Sequence, residues 1–272
     1  MVKKTEISPQ HPRAKSLKTR HDLVSHVESG VVTLAGVLAH GRGEAFDYLL
    51  GEKTTKTAHD AIKTAAATML LAEHPVISVN GNIAALVPEG IIKLAEVTGA
   101  KIEVNLFHRT LHREKAIKQL LEKFGAKEVL GVGEACSAEI PEICSERRSV
   151  DPKGILVADV ILVPLEDGDR TEALRKMGKT VITVDLNPLS RTAQWASVTI
   201  VDEVARTFPS LIEEAKLLKH ESPVNLRKIV SSFNNKKNLA ITIEQINQRL
   251  SGLAKQGIYI PEANELYKEH EL

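Results

Sequence analysis

The sequence predicts an α/β protein, with a doubly wound, mainly parallel sheet and an added helical C-terminal part. Three observations carry this. Short apolar runs rich in β-branched residues recur at 76–79, 101–106, 129–132, 159–165, 181–184 and 198–201, each separated from the next by turn residues or by a segment of helical spacing. These runs stop at Asn80, Asn105, Gly131, Glu166, Asp185 and Asp202, and right-handed crossovers would bring those ends to one rim. Beyond residue 209 no such run recurs, and 210–220, 223–233 and 239–250 read as helices. The expected organisation is therefore a core over 1–209, including an N-terminal helix, and a helical appendage over 210–272 packed on the core or on a dimer interface.

Composition sets the limits. The chain has 272 residues, 43% hydrophobic but only 3% aromatic, so its core must be built from Ala, Val, Ile and Leu. A formal net charge of +1 argues against wholesale binding of nucleic acid or a membrane surface. No apolar run reaches membrane-spanning length and the start of the chain is polar, so a cytoplasmic protein is expected. Cys136 and Cys144 fit neither a zinc nor a C-x-x-C spacing. They read as two thiols, with a disulfide as the alternative in a hyperthermophile.

In chain order, 1–12 is polar and expected to be loose. Leu17, Leu23, Val24 and Val27 give 13–29 a helical stripe, with Arg20 off it. An apolar stretch over 31–39 leads to His40-Gly41-Arg42-Gly43-Glu44, read as a loop in which two glycines let a ligand approach the arginine. An Ala-rich helix is expected over 57–73. The first strand then ends at Asn80-Gly81-Asn82 before a single helix over 83–98. After the second strand, His108 and His112 stand four apart and could share a helix face, but a metal site would need a further ligand and is not expected. A helix over 114–124 ends at Gly125. The irregular 134–154 carries Arg147 and Arg148, either a solvated loop or an anion clamp. After the strand at 159–165 come Glu166, Asp167 and Asp169. Asp169 is expected to cap a helix over 171–177, while the cluster could alternatively hold Mg²⁺ through water. The last two strands flank Asp185-Leu186-Asn187-Pro188 and Ser190-Arg191-Thr192, a polar, cationic loop. Pro223 fits the first turn of its helix, and 268–272 is expected to fray.

No G-x-G-x-x-G and no Walker loop is present, which disfavours an NAD-type oxidoreductase. The arginines instead suit phosphate oxygens, and Asp185 and Asn187 suit the hydrogen bonds of a ribose or a base.

Several motifs taken together resemble the archaeal phosphopantothenate synthetase (4-phosphopantoate–β-alanine ligase) family. They are H-P-R-A-x-S-L-x-x-R ending at Arg20, A-H-G-R-G-E-A-F-D-Y around Arg42, and V-N-G-N around Asn80. Further on stand S-E-R-R with V-D-P, V-P-L-E-D-G-D-R-T-E-A-L, and D-L-N-P-L-S-R-T-A from Asp185. The resemblance implies a Rossmann-like core and a homodimer. It implies an ATP-dependent ligase of coenzyme A biosynthesis that joins 4-phosphopantoate to β-alanine through an acyl-adenylate, releasing AMP and diphosphate. ATP would contact Arg20, Arg42, Asp185, Leu186, Asn187, Arg191, Thr192, Asp202 and Glu203. Arg20 and Arg42 would serve catalysis at the α-phosphate, with Mg²⁺ on the diphosphate. Asn80, Arg113, Arg147 and Arg148 are the substrate-side candidates, and Asp151, Asp167 and His112 are candidate bases for the β-alanine amine. No resident metal site is expected. The alternative is a non-catalytic sensor of ATP or coenzyme A.

Overall fold

Five parallel strands form the central sheet of the computed structural model, which describes residues 8, 10, 11, 13–165 and 168–257. They are β1 (Pro75–Val79), β2 (Lys101–Val104), β5 (Val160–Leu162), β6 (Thr180–Val184) and β7 (Val198–Ile200), in the order β2-β1-β5-β6-β7. The chain first builds outward from β1 to β2, then reverses to the far side of β1. The reversal places a topological switch point between the carboxyl ends of β1 and β5, where open α/β sheets bind ligands.

Alternation along the strands feeds two cores. Ile77, Val79, Leu162 and Ile182 face the larger one, with α3 (Lys56–Leu71), α5 (Pro88–Thr98) and α9 (Val204–Leu218). Val76, Ile161, Val163 and Val181 face the other, where α7 (Gly168–Lys176) and the 140–158 segment pack. Burial on both faces is what a parallel sheet requires. Helix α3 contributes Ala61, Ala65, Ala66 and Ala67, all fully buried, so its backbone lies close to its neighbours despite the shortage of aromatics.

Several expectations are corrected. The run at 129–132 forms no strand; Leu130 makes one isolated parallel bridge to Glu103, because Gly131 and Gly133 take positive φ and turn the chain away. The helix expected over 83–98 is two, α4 (Gly81–Leu86) and α5, since Pro88 cannot continue α4 and opens α5 instead. The His40-to-Glu44 stretch is not a loop. It lies inside α2 (Leu34–Leu50), started by the Thr33 hydroxyl accepting the Gly36 N–H. His108 precedes α6 (Leu111–Lys123), which is capped by Thr110, so His108 and His112 share no helix face. Asp169 lies in the first turn of α7 rather than before it, and 191–195 is a short helix, α8 (Arg191–Trp195). The irregular 134–154 contains a two-stranded antiparallel ribbon, β3 (Ala138–Glu139) with β4 (Ser149–Val150).

The last helices are α10 (Pro223–Ser232) and α11 (Asn235–Gln256), while α9 starts at Val204 and runs across 209 and 210. The start of α11 seals the β7 edge of the sheet. Asn235 Oδ1 accepts the Thr199 N–H (2.8 Å), and Asn238 Nδ2 donates to the Thr199 carbonyl (2.9 Å). Helix α1 (Ala14–Ser25) contacts α2. The expectations for most of 1–12 and for 268–272 lie outside the described residues. Cys136 and Cys144 are free thiols. Among the described residues no helix is long and apolar enough to cross a membrane.

Candidate active site

A cavity of about 390 Å³ opens over the switch point. Its lining comes from the ends of the strands: Asn80, Gly81 and Asn82 after β1, Leu106, Phe107 and His108 after β2, and Leu165 after β5. Helix α2 contributes Thr33, Gly36, Ala39 and Arg42 to one wall, α6 contributes Arg113, and the approach to β4 contributes Arg147.

Asn80 ties the two sides of the switch together. Its Oδ1 caps α4 by accepting the Ile83 N–H (3.1 Å), and its Nδ2 donates to the Pro164 (3.3 Å) and Leu165 (3.2 Å) carbonyls. Leu165 takes φ +54, an uncommon conformation for a residue with a side chain, just where the chain leaves β5. Gly81 and Gly36 are there for close approach: a Cβ on Gly81 would lie 2.0 Å from the Val31 carbonyl, and one on Gly36 2.4 Å from Asn82 Oδ1. Gly36 escaped the sequence reading, although a lone glycine in an apolar helical stretch was its signal.

The cations around the cavity differ in how they are held. Arg113 donates to the carbonyls of Gly30 (3.1 Å), Val31 (3.1 Å) and His108. Burial, and then the charge of Arg147, hold Arg113 below the usual arginine range. Arg147 is buried and donates Nη1 to the Asn105 carbonyl (2.9 Å). Two guanidiniums of like charge thus face one cavity with no carboxylate among the described residues of its lining, an arrangement suited to an anion. Arg42 is exposed and reaches the cavity from α2, with its charge also felt by Asp185.

The Asp185 turn follows β6. Burial pushes the Asp185 carboxyl up, against the Ser190 hydroxyl bond (2.5 Å), the Asn187 N–H (2.9 Å) and the charge of Arg42. Asn187 Oδ1 accepts the Leu189 N–H, Leu186 packs with Leu50 and Val201, and Thr192 is buried on α8. Arg42 therefore stands between the cavity and this turn.

Other candidates lie elsewhere. Arg20 holds Glu44 with both Nε (2.9 Å) and Nη2 (2.8 Å), and Tyr48 and Arg13 join them. Glu44 is two residues from Arg42, hence on a nearly opposite face of α2. Arg191 pairs with Asp169 (2.6 Å) and Glu172 (2.7 Å) on α7. Arg148 pairs with Glu139 on the ribbon (3.5 Å). Asp202 is 1% exposed and takes Arg206 (2.7 Å) and Thr54 (2.6 Å), while Arg206 also clamps Asp47 (2.6 Å). Glu203 is the N-cap of α9, accepting the N–H groups of Ala205 (2.7 Å) and Arg206 (3.1 Å), and burial pushes its carboxyl up. Of the candidate bases, Asp151 is buried and accepts the Lys153 N–H, His112 lies against Gly30, and Asp167 is outside the described residues. His108 is the histidine that borders the cavity. Among the described residues no three His, Cys, Asp or Glu side chains converge as a metal cage.

Comparison with known proteins gives this geometry a context. Residues 57–249 match the family model described as phosphopantothenate/pantothenate synthetase. A 4-phosphopantoate–β-alanine ligase of Thermococcus kodakarensis is 50% identical over 254 residues, covering 93% of this chain and 97% of the relative. One of Methanosarcina mazei is 48% identical over 255 residues, covering 94% and 100%. A third, of Methanospirillum hungatei, is 52% identical over 205 residues, covering 75% and 83%. With the family model matched over most of the chain and relatives matched nearly end to end, the protein belongs to the phosphopantothenate/pantothenate synthetase family.

Proposed function

We propose that the protein is an ATP-dependent, AMP-forming ligase that joins 4-phosphopantoate to β-alanine in coenzyme A biosynthesis. The observation that carries this, beside family membership, is the position of Arg42 between an arginine-lined cavity and the Asp185 turn. The cavity takes 4-phosphopantoate, with its phosphate toward Arg147 and Arg113 and with Asn80 also in the lining. The turn of Asp185, Leu186 and Asn187, with Thr192, receives the nucleoside of ATP, where Asp185 exchanges its Ser190 hydroxyl for a ribose hydroxyl. The substrate carboxylate oxygen attacks the α-phosphorus, and the bond to diphosphate breaks. Charge grows on the α-phosphate oxygens in that step, so a fixed guanidinium at Arg42 stabilises the transition state more than the ground state. The β-alanine nitrogen then attacks the acyl carbon, the bond to AMP breaks, and the amine proton passes to His108 or to water.

Magnesium keeps several waters and needs only one or two carboxylates beside substrate phosphates. Mg²⁺ would therefore enter with ATP, neutralising the departing diphosphate, with Glu166 and Asp167 as the nearest acidic residues in sequence to the β5 end. Arg20, Arg148, Arg191, Asp202 and Glu203 act at a distance in this reading, through the helices and turns they tie together. A homodimer is supported by Leu34 and Leu38, 72% and 76% exposed one turn apart on α2, a face that a second copy would cover.

The test is direct. Protein incubated with ATP, 4-phosphopantoate and β-alanine yields AMP and 4′-phosphopantothenate in equal amounts. ADP in place of AMP, or no product, overturns the proposal.

A further inference from the structure

We propose that Arg170 and Asn105 form a buried positioning relay that aims Arg147 at the phosphate of the bound substrate. The relay rests on reading the switch-point cavity as the 4-phosphopantoate site.

Arg170 comes from α7 and is 1% exposed, the bulkiest fully buried side chain among the described residues. Its Nη1 reaches under the carboxyl ends of β1 and β2, donating to Ser78 Oγ (2.9 Å) and Asn105 Oδ1 (2.6 Å). A carboxamide has one accepting oxygen and one donating NH₂. With a guanidinium donating to Oδ1, the reversed amide would set donors against donors, so the NH₂ of Asn105 must point the other way. It donates there to the carbonyls of Arg147 (3.1 Å) and Ser149 (3.2 Å). The backbone carbonyl of Asn105 accepts Arg147 Nη1 (2.9 Å), and its N–H goes to the Val79 carbonyl (2.9 Å). Asn105, with no exposed surface, therefore holds both the backbone and the guanidinium of Arg147 while anchored to β1.

Neither Arg170 nor Asn105 lines the cavity. Burying a guanidinium carries a large desolvation cost, and apolar residues of similar volume usually replace such groups without loss of stability. The guanidinium kept there fixes which way the Asn105 amide points. Arg147 meets an anion best as a preset fork, and its direction depends on which way one amide points.

Asn105→Asp tests this with almost no change of shape. The acceptor for Arg170 is kept, and the two donors that hold the 147–149 backbone are lost. Loss of hydrogen bonds that position a charged group is expected to raise KM for 4-phosphopantoate about tenfold or more. KM for ATP and kcat should stay within about twofold, because the hydrogen bonds of Asp185 and Asn187 described above stay within the 185–190 turn, apart from Ser78, Asn105, Arg147 and Ser149. Arg170→Lys, which cannot make the same planar contacts, should show the same split. In an Arg147→Ala background Asn105→Asp should add almost nothing to that KM, since the group it positions is gone. The relay is overturned if folded Asn105→Asp and Arg170→Lys leave KM for 4-phosphopantoate unchanged, if all kinetic constants fall together, or if the effects multiply in the double variant. If Arg147→Ala alone leaves that KM unchanged, the assignment of the cavity fails first and the relay falls with it.

Discussion

Arg42 and Glu103 are both ionisable groups set near the sheet's carboxyl end, one in water and the other fully buried. Arg42 is exposed, with no ion pair among the described residues, so it contributes little to stability and its charge is available to a ligand. Arg42→Ala should lower kcat/KM by roughly a hundredfold or more, as removal of a transition-state donor does. Its thermal midpoint should stay close to wild type in a scanning denaturation. Glu103 has no exposed surface and receives the N–H groups of Asp151 (3.0 Å) and Ile155 (2.5 Å). Burial outweighs those bonds and pushes its carboxyl up to about 7. Its native state thus holds a proton that the unfolded chain has already lost above the ordinary carboxylate range. The contribution is complete below about pH 4.5 and declines as pH rises to about 7, by a few kcal/mol at most. Urea midpoints measured across that interval should fall with pH, and Glu103→Gln should flatten the fall whatever it does to absolute stability. The cavity-lining arginines were legible in the sequence because polar, cationic residues beside strand ends are unusual. Asn105 was legible only as a strand end, and the role of Arg170 was not, since a buried arginine and a surface arginine are the same letter until the sheet is folded around them.

At the scale of elements, α2 is where local reading and structure part. Two glycines around an arginine suggested a loop, yet the helix continues through them because Thr33 caps it and its inner face packs at Phe46, Asp47 and Leu50. Each glycine weakens such a helix by about 1 kcal/mol relative to alanine. Among the described residues nothing outside its own stretch of helix lies within 4 Å of a Cβ placed on Gly41, so packing among those residues does not account for it. Gly41→Ala is therefore expected to raise stability by about 0.5–1 kcal/mol. If substrate or a second copy needs the bare backbone there, the same variant lowers kcat/KM or dimer affinity, read by kinetics and by sedimentation. The start of α9 shows the reverse case. Asp202 and Glu203 stood out as an acidic strand end, and in the fold they form an ion cluster with Arg206 and a helix cap. Glu203→Ala should cost about 1 kcal/mol of stability, measured by denaturant melts, through the loss of that cap.

For the molecule as a whole, five of the six expected strands and most helices were readable from periodicity, and the order of strands was not. Which strand lies beside β1 depends on crossovers that burial pattern alone does not determine, and the same apolar runs would serve several orders. The observed order puts the switch point, and with it the arginine-lined cavity, between β1 and β5, away from the β6 and β7 ends to which the sequence drew attention. The seal on β7 has a consequence for how the protein comes into being. Synthesis delivers Thr199 well before Asn235 and Asn238, so for some 36 residues of elongation the nascent sheet presents a bare strand to its surroundings. Unpaired edges of this kind recruit other strands. A chain stopped before residue 235, or full-length protein carrying Asn235→Ala with Asn238→Ala, should scatter light on refolding at concentrations where the intact chain stays clear. Helix α11 thus resembles a cover put in place after the sheet, and its lateness makes the ribosome and its attendant chaperones part of the protein's early environment.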